Sequence, residues 1–441
     1  MNHPNIIFLV ADDLGFADLG CYGGRDARFG PVSPVLDQLA AKGLKFTQGY
    51  ANSPVCSPTR FALMTARYQY RLRGAAEEPI NSRSRGSTTL GLPPEIPTLP
   101  SLLRAQGYRT ALVGKWHLGY PPAFGPTRSG YEEFFGPMAG GVDYFTHCAS
   151  TGAHDLWQGE EEHIEEGYLT DMITQRSVDY IDRRAAEARD GTPFFLSMHY
   201  TAPHWPWETR DDRALAEEIR GNIVHLHGGN IHTYQRMVHH MDEGIGQVVA
   251  RLRAQGLLDN TLIVFTSDNG GERYSDNWPL VGGKMDLTEG GIRVPWIAHW
   301  PATIAPGGVS TQQCMTMDWS ATMLDLAGAT PDPAYPLDGV SLRSVLNDVS
   351  HSFDRPLYWR MNHRGQRALR MADWKYLRVD GQDYLFNIAA DERERANHAA
   401  REPDMLETLR EAWEAWNATM PPIPEDATVS VGYSAKDMPQ R

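Results

Sequence analysis

The feature that most constrains this chain is an alternation. Short, almost wholly apolar runs follow one another down the sequence, separated by stretches of helical periodicity. Asn5–Ala11, Thr110–Gly114, Pro193–Tyr200, Thr261–Ser267 and Pro295–Trp300 read as strands, and their continuous apolar character is that of strands covered on both faces. Between them, Ser33-Pro34 supplies an N-cap and a first-turn proline for a helix ending at Gly43, and Leu44–Tyr50 reads as a further strand. Helices are also predicted over Thr98–Gln106 and Tyr234–Gln255, each stopped by a glycine, and over Ser320–Ala327. Strand–helix alternation of this kind folds as an α/β domain, with a large mixed, mostly parallel sheet sandwiched by helices. Near Tyr335 the texture changes. Pro356–Met361, Ala368–Met371, Trp374–Val379 and Asp383–Asn387 are short strands joined by turns such as Asp380-Gly381, followed by a helix over Asp404–Ala418. The expected division is an α/β domain over 1–335 and a smaller α+β subdomain over 336–441, ending in a Pro-rich tail.

Composition narrows the function. A formal net charge of −14 over 441 residues argues against nucleic acid as the main partner, and any anion site must be locally positive. The four cysteines (Cys21, Cys56, Cys148 and Cys314) have neither disulfide-scaffold nor zinc spacing. The apolar run Ile6–Ala11 has no basic leader or cleavage site, and no stretch is long enough to cross a bilayer, so a cytoplasmic location away from membranes is expected.

Chemistry-bearing residues gather where the predicted strands end. Asp12 and Asp13 follow the first strand, and Asp268-Asn269 follow Thr261–Ser267. Taken singly, such pairs are ordinary turn chemistry. Both lie at carboxyl ends of strands, where open α/β sheets build their sites, and their oxygens suit a hard divalent cation better than zinc. Lys115 and His117, in Gly114-Lys115-Trp116-His117, are two positions apart and so share a face at a third strand end. His204 stands between Pro203 and Pro206, which fix its backbone, and Lys284 follows Gly282-Gly283. Trp157, Trp205, Trp207 and Tyr144 could form an aromatic wall or serve only as packing residues. The irregular stretch between Gly119 and Thr170 reads as functional loops.

The motif Pro54-Val55-Cys56-Ser57-Pro58-Thr59-Arg60, ahead of the helix-like Phe61–Arg67, selects among the possible chemistries. A thiolate phosphatase needs a longer loop between cysteine and arginine to wrap a phosphate. Cysteine with Pro at +2 and Arg at +4 instead resembles the maturation signal of type I sulfatases. All five pieces occur in that family's order over residues 5 to 300, and Asp383–Asn387 with the acidic stretch after it resembles the family's closing strand and turn. Thr59 departs from the common Ser, and Ala66 from a common Gly.

The resemblance implies an alkaline-phosphatase-like fold and a sulfuric ester hydrolase of arylsulfatase type. It implies oxidation of Cys56 to formylglycine by a maturation enzyme, and a cation (Ca²⁺, with Mg²⁺ or Mn²⁺ as alternatives) held by Asp12, Asp13, Cys56, Asp268 and Asn269. It further implies Asp268 as proton acceptor at the nucleophile, Lys115 on the sulfate oxygens, and Lys284 and His204 at the leaving oxygen. His117 is the implied base for sulfate release, and Arg60 the implied anchor of the nucleophile loop. The expected substrate is a small-molecule sulfate ester. Two alternatives stay open: a formylglycine-dependent phosphonate monoester hydrolase or phosphodiesterase, and a metal-binding module with unmodified Cys56. A homo-oligomer also stays open, with the tail after Pro421 as the reaching segment.

Overall fold

The structure is a computed structural model that describes residues 3–23, 30–72, 80, 84–220, 222–225 and 228–423. The tail proposed to reach a second copy lies almost wholly outside the described residues. A ten-stranded sheet forms the body. At its centre Asn5–Ala11 runs parallel to Phe194–His199 on one side and to Thr261–Ser267 on the other. Arg109–Gly114 and then Glu133–Pro137 continue it in parallel, while Trp296–His299 pairs antiparallel to Thr261–Ser267.

Register brings the strand ends into line. Ala11 pairs with Ser267, Val10 with His199, and Gly114 with His199, so four adjacent parallel strands finish at one edge. The next residues of the chain, Asp12, Asp268, Lys115 and the turn to His204, emerge together there. Gly114 makes part of this possible. It has φ +115, and a Cβ on it would stand 1.8 Å from the His199 carbonyl oxygen.

Alternation within the central strand feeds two cores. Ile7, Leu9 and Ala11 face the helices Leu169–Arg189 and Ile231–Ala254. Ile6, Phe8 and Val10 face Cys56–Thr65, Leu99–Ala105 and Thr316–Leu326. Thr98 closes a capping box with Ser101 at the start of Leu99–Ala105, as the sequence predicts a helix there.

Several elements depart from the sequence reading, and the stretch read as loops between Gly119 and Thr170 contributes Glu133–Pro137 and Leu156–Gln158 to the main sheet. Leu44–Tyr50 is divided, because Leu44–Phe46 joins the main sheet whereas Gly49–Tyr50 pairs with Cys314–Met315. The 21-residue helix Leu169–Arg189 is missed altogether. Its apolar stripe (Leu169, Ile173, Tyr180, Ile181) is diluted by eight charged residues and begins without a side-chain cap directly after an aromatic loop.

Beyond the main sheet, the strands from Leu357–Met361 to Gln382–Asn387 form a four-stranded antiparallel meander, with Pro403–Asn417 packed against it. It is bound closely to the main body. Trp359 Nε1 donates to the Ala51 carbonyl at 2.8 Å, and the wholly buried Lys375 lies 2.9 Å from Glu289.

The cysteine-bearing helix is buried along all ten residues, Cys56–Thr65. Thr59 Oγ1 both accepts from Ser53 N and donates to Ser53 O, each at 3.0 Å, which is a role any hydroxyl at this position fills. Ala66 closes the helix in the left-handed conformation, φ 53. That geometry costs a residue with a Cβ about 1–2 kcal/mol, part of which glycine's greater chain entropy would offset. Ala66→Gly is therefore expected to stabilise the fold by up to about 1 kcal/mol, read from denaturant midpoints at unchanged m.

Candidate active site

Cys56 opens its helix at the carboxyl edge of the sheet, and three acidic residues converge on it. Its Sγ lies 3.5 Å from Asp12 Oδ1 and 3.8 Å from Asp13 Oδ1. Ligand atoms of Asp12, Asp13, Cys56 and Asp268 all fall within 4.8 Å of one another, and all four residues are buried. Asn269 donates from Nδ2 to Asp13 Oδ1 at 2.7 Å, while its own Oδ1 is buried without a donor among the described residues. A hard cation would take that orphaned oxygen together with the crowded carboxylates, so the residues fit one.

The basic groups occupy the other side of the same carboxylates. Lys115 Nζ is 2.6 Å from Asp12 Oδ2, and Lys284 Nζ is 2.7 Å from Asp13 Oδ2. Each aspartate thus turns Oδ1 toward Cys56 and Oδ2 toward a lysine. His204 Nε2 stands 3.6 Å from Asp13 Oδ2, with its Nδ1 against the Trp205 carbonyl at 2.7 Å. His117 is held from Nε2 to the Ile80 carbonyl, and its buried Nδ1 has no partner among the described residues. Lys115 and His117 do not share a strand face as the spacing suggests. The strand stops at Gly114, and His117 turns back toward the site in a left-handed conformation (φ 60), as Asp13 does (φ 64). Gly140 admits the imidazole, since a Cβ there would meet the ring at 2.4 Å.

Electrostatics follows from burial. Burial raises Asp12 to about 7, with Asp268 and Asp13 adding to it despite the Lys115 contact. Burial also opposes the charged form of Asp13, but Lys284 and Lys115 outweigh it and hold that carboxyl well below the usual range. The two aspartates differ because Asp12 faces the carboxylates of Asp268 and Asp13, whereas Asp13 sits directly on Lys284. Burial, then Asp268, pushes the Cys56 thiol far up, so the unmodified side chain is not a thiolate nucleophile here. His117 and His204 are kept neutral by burial and then by Lys115 and Lys284 respectively.

A sulfatase family model matches residues 4–329. The chain belongs to the sulfatase family. It is 31% identical to arylsulfatase J of Mus musculus over 96% of this chain and 77% of that one. To N-acetylgalactosamine-6-sulfatase of Homo sapiens it is 33% identical, covering 81% and 68%. Among solved structures, Ps i-CgsB in complex with k-i-k-neocarrahexaose superposes with a TM-score of 0.82 at 32% identity, covering 94% of this chain and 92% of that one. The sulfatase is accordingly a sulfuric ester hydrolase.

All ten residues singled out from the sequence come together at this edge of the sulfatase, and two buried residues around them carry no sequence signal of their own. His199, the last residue of its strand, accepts from Arg60 Nη1 at 3.1 Å. Glu272 accepts from Trp205 Nε1 at 2.9 Å, and burial raises its carboxyl to about 7. Of the four candidate wall aromatics, Trp157, Trp207 and Tyr144 are buried packing residues, and Trp205 alone is partly open, against the His204 ring at 4.1 Å.

His204 is also positioned from behind. Tyr144 donates its hydroxyl to the His204 carbonyl at 2.9 Å, and its N–H to Glu208 at 3.2 Å. Burial and then Asp143 raise Glu208 to about 9 from an ordinary value of 4.5, so it stays protonated in the fold at neutral pH. Because the folded value is raised, its stabilising contribution is full below pH 4.5 and is lost as pH climbs toward 9. The loss has a slope of up to ~1.4 kcal/mol per pH unit. Glu208→Gln keeps the neutral shape without the proton. Its melting temperature relative to the parent is expected to rise steadily across that window, which melting curves at graded pH would show.

Proposed function

We propose that the sulfatase hydrolyses sulfate monoesters with residue 56 in its formylglycine form and a divalent cation, Ca²⁺ foremost, at Asp12, Asp13, Asp268 and Asn269. The observation that carries this is the placement of Cys56 Sγ 3.5 Å from Asp12 Oδ1, inside a ring of three carboxylates backed by two lysines and two histidines. A hydrated formylglycine beside such a cation supplies a hydroxyl acidic enough to attack sulfur at neutral pH, and a second hydroxyl that permits sulfate release by C–O cleavage.

The chain's own groups do the remainder. Lys115 and Lys284, buried and fixed on aspartate oxygens, present positive charge to the sulfate oxygens in a water-poor site. Neutral His204, its Nδ1–H donated to the Trp205 carbonyl, turns a proton-free Nε2 toward Asp13 and the pocket, so donation to the leaving oxygen falls to Lys284 beside it. His117, neutral and with an Nδ1 that has no partner among the described residues, is suited to take a proton during release. Two lysines and two neutral histidines suit a singly charged sulfate ester better than a phosphate monoester, which carries nearly two charges.

The maturation enzyme would act on the unfolded chain, because every residue of Cys56–Thr65 is buried once folded. Mass spectrometry of the tryptic peptide Phe46–Arg60 tests the reading. Formylglycine or its hydrate is the expected product from a host with a maturation system. A free thiol that persists on co-expression with a formylglycine-generating enzyme would refute it.

A further inference from the structure

Among the described tryptophans Trp278 alone is largely exposed, at 61%. The loop that carries it, from Asn269 to Lys284, begins and ends in the catalytic cluster. Its middle is pinned as well. Asp276 O accepts from Ala17 N at 2.7 Å, and Asn277 Nδ2 bridges the carbonyls of Gly271 and Gly282 at 3.1 and 3.2 Å. Trp278 N donates to Asp276 Oδ1 at 2.9 Å. The indole is therefore held at the rim of the site by an ordered backbone while its ring stays open to water.

One face of the ring is covered by Arg393, whose guanidinium carbon lies 4.2 Å from the ring centroid. Arg393 comes from a turn of the C-terminal part whose other side chains are committed. Glu392 pairs with Arg293 at 3.4 Å and Glu394 with Lys375 at 2.8 Å, while Asp391 Oδ2 caps the N–H groups of Arg395 and Ala396. Arg393 Nε finds no acceptor among the described residues. A flat apolar ring with one open face, beside a guanidinium whose Nε has no acceptor among the described residues, suits a sugar ring that carries an anionic group. Sugar rings stack a C–H face on indole, and an adjacent sulfate or carboxylate takes the guanidinium.

We propose that Trp278 and Arg393 form a subsite for a further ring of a sulfated oligosaccharide whose ester is cleaved at Cys56, so that the substrate is a saccharide chain rather than a free aryl sulfate. This rests on the sulfatase reading of the site, and the test keeps the two apart. Binding is measured by calorimetry on Cys56→Ala protein, where nothing is consumed, with three probes: a κ-carrageenan hexasaccharide, a chondroitin 6-sulfate hexasaccharide and 4-nitrophenyl sulfate.

At least one hexasaccharide is expected to bind about tenfold or more tightly than 4-nitrophenyl sulfate, and Trp278→Ala or Arg393→Ala each to weaken it about tenfold. Trp278→Phe, which keeps an aromatic face, should retain most of the affinity, and all three variants should melt with the parent. Equal affinity in parent and alanine variants overturns the proposal, as does failure of both hexasaccharides to outbind 4-nitrophenyl sulfate. A matured enzyme that releases sulfate from none of the probes would instead refute the sulfatase reading and leave the binding result standing.

Discussion

Cys56→Ser is expected to release at most one equivalent of phenol from an aryl sulfate and then stop. The serine oxygen takes the place of Sγ, 3.5 Å from Asp12 Oδ1, so the carboxylates and lysines that position the attack are unchanged. What the serine lacks is a second hydroxyl on the same carbon. After attack on sulfur it is left as a sulfate ester of an ordinary alcohol, and no internal group can expel sulfate by C–O cleavage. Steady-state turnover should fall by on the order of a thousandfold or more, as removal of a covalent nucleophile does elsewhere. A stopped-flow burst of no more than one equivalent, with an intact protein mass heavier by one sulfo group, is the expected pair of results. Repeated turnover by a verified serine side chain would remove the formylglycine route. Cys56→Ala, with no oxygen to attack, should show no burst at all.

The catalytic edge was legible because its residues sit at strand ends, and strand ends are where apolar runs stop. Ile6–Val10 and Leu262–Phe265 are continuous apolar runs, so Asp12-Asp13 and Asp268-Asn269 stand out as abrupt changes. Helices marked by Pro34, Thr98 or a terminal glycine were equally visible. The helix Leu169–Arg189 was not, since its buried stripe is interleaved with charges that pair outward, as Arg184 does with Glu133 at 2.7 Å. The subtler features of the site depend on contacts far apart in sequence. His199 is read as strand filler until Arg60 reaches it across 139 residues, and the left-handed turn at His117 needs the space at Gly140. Trp278 looked like one tryptophan among twelve, and only solvent exposure and Arg393 set it apart.

Arg60→Ala is expected to destabilise the protein before it affects substrate binding. The guanidinium is buried, and both Nε and Nη2 donate to Asp268 Oδ2 at 3.0 and 2.8 Å. Its Nη1 donates to the Lys115 carbonyl at 3.0 Å, so one side chain ties the cysteine helix to two of the strand ends. Removing it leaves the Asp268 carboxylate buried without its partner, a change that costs about 3–5 kcal/mol. Arg60→Lys keeps a charge but loses the planar fork, and should fall between the two.

A divalent cation discriminates the cause. If Arg60 acts by neutralising and orienting Asp268, added Ca²⁺ should recover part of the lost melting temperature in Arg60→Ala, because the cation compensates the same carboxylate. Denaturant unfolding with and without Ca²⁺ measures this directly. A variant with parental stability and a raised KM for an aryl sulfate would show the opposite, that Arg60 meets the substrate and the cysteine helix is anchored by other contacts.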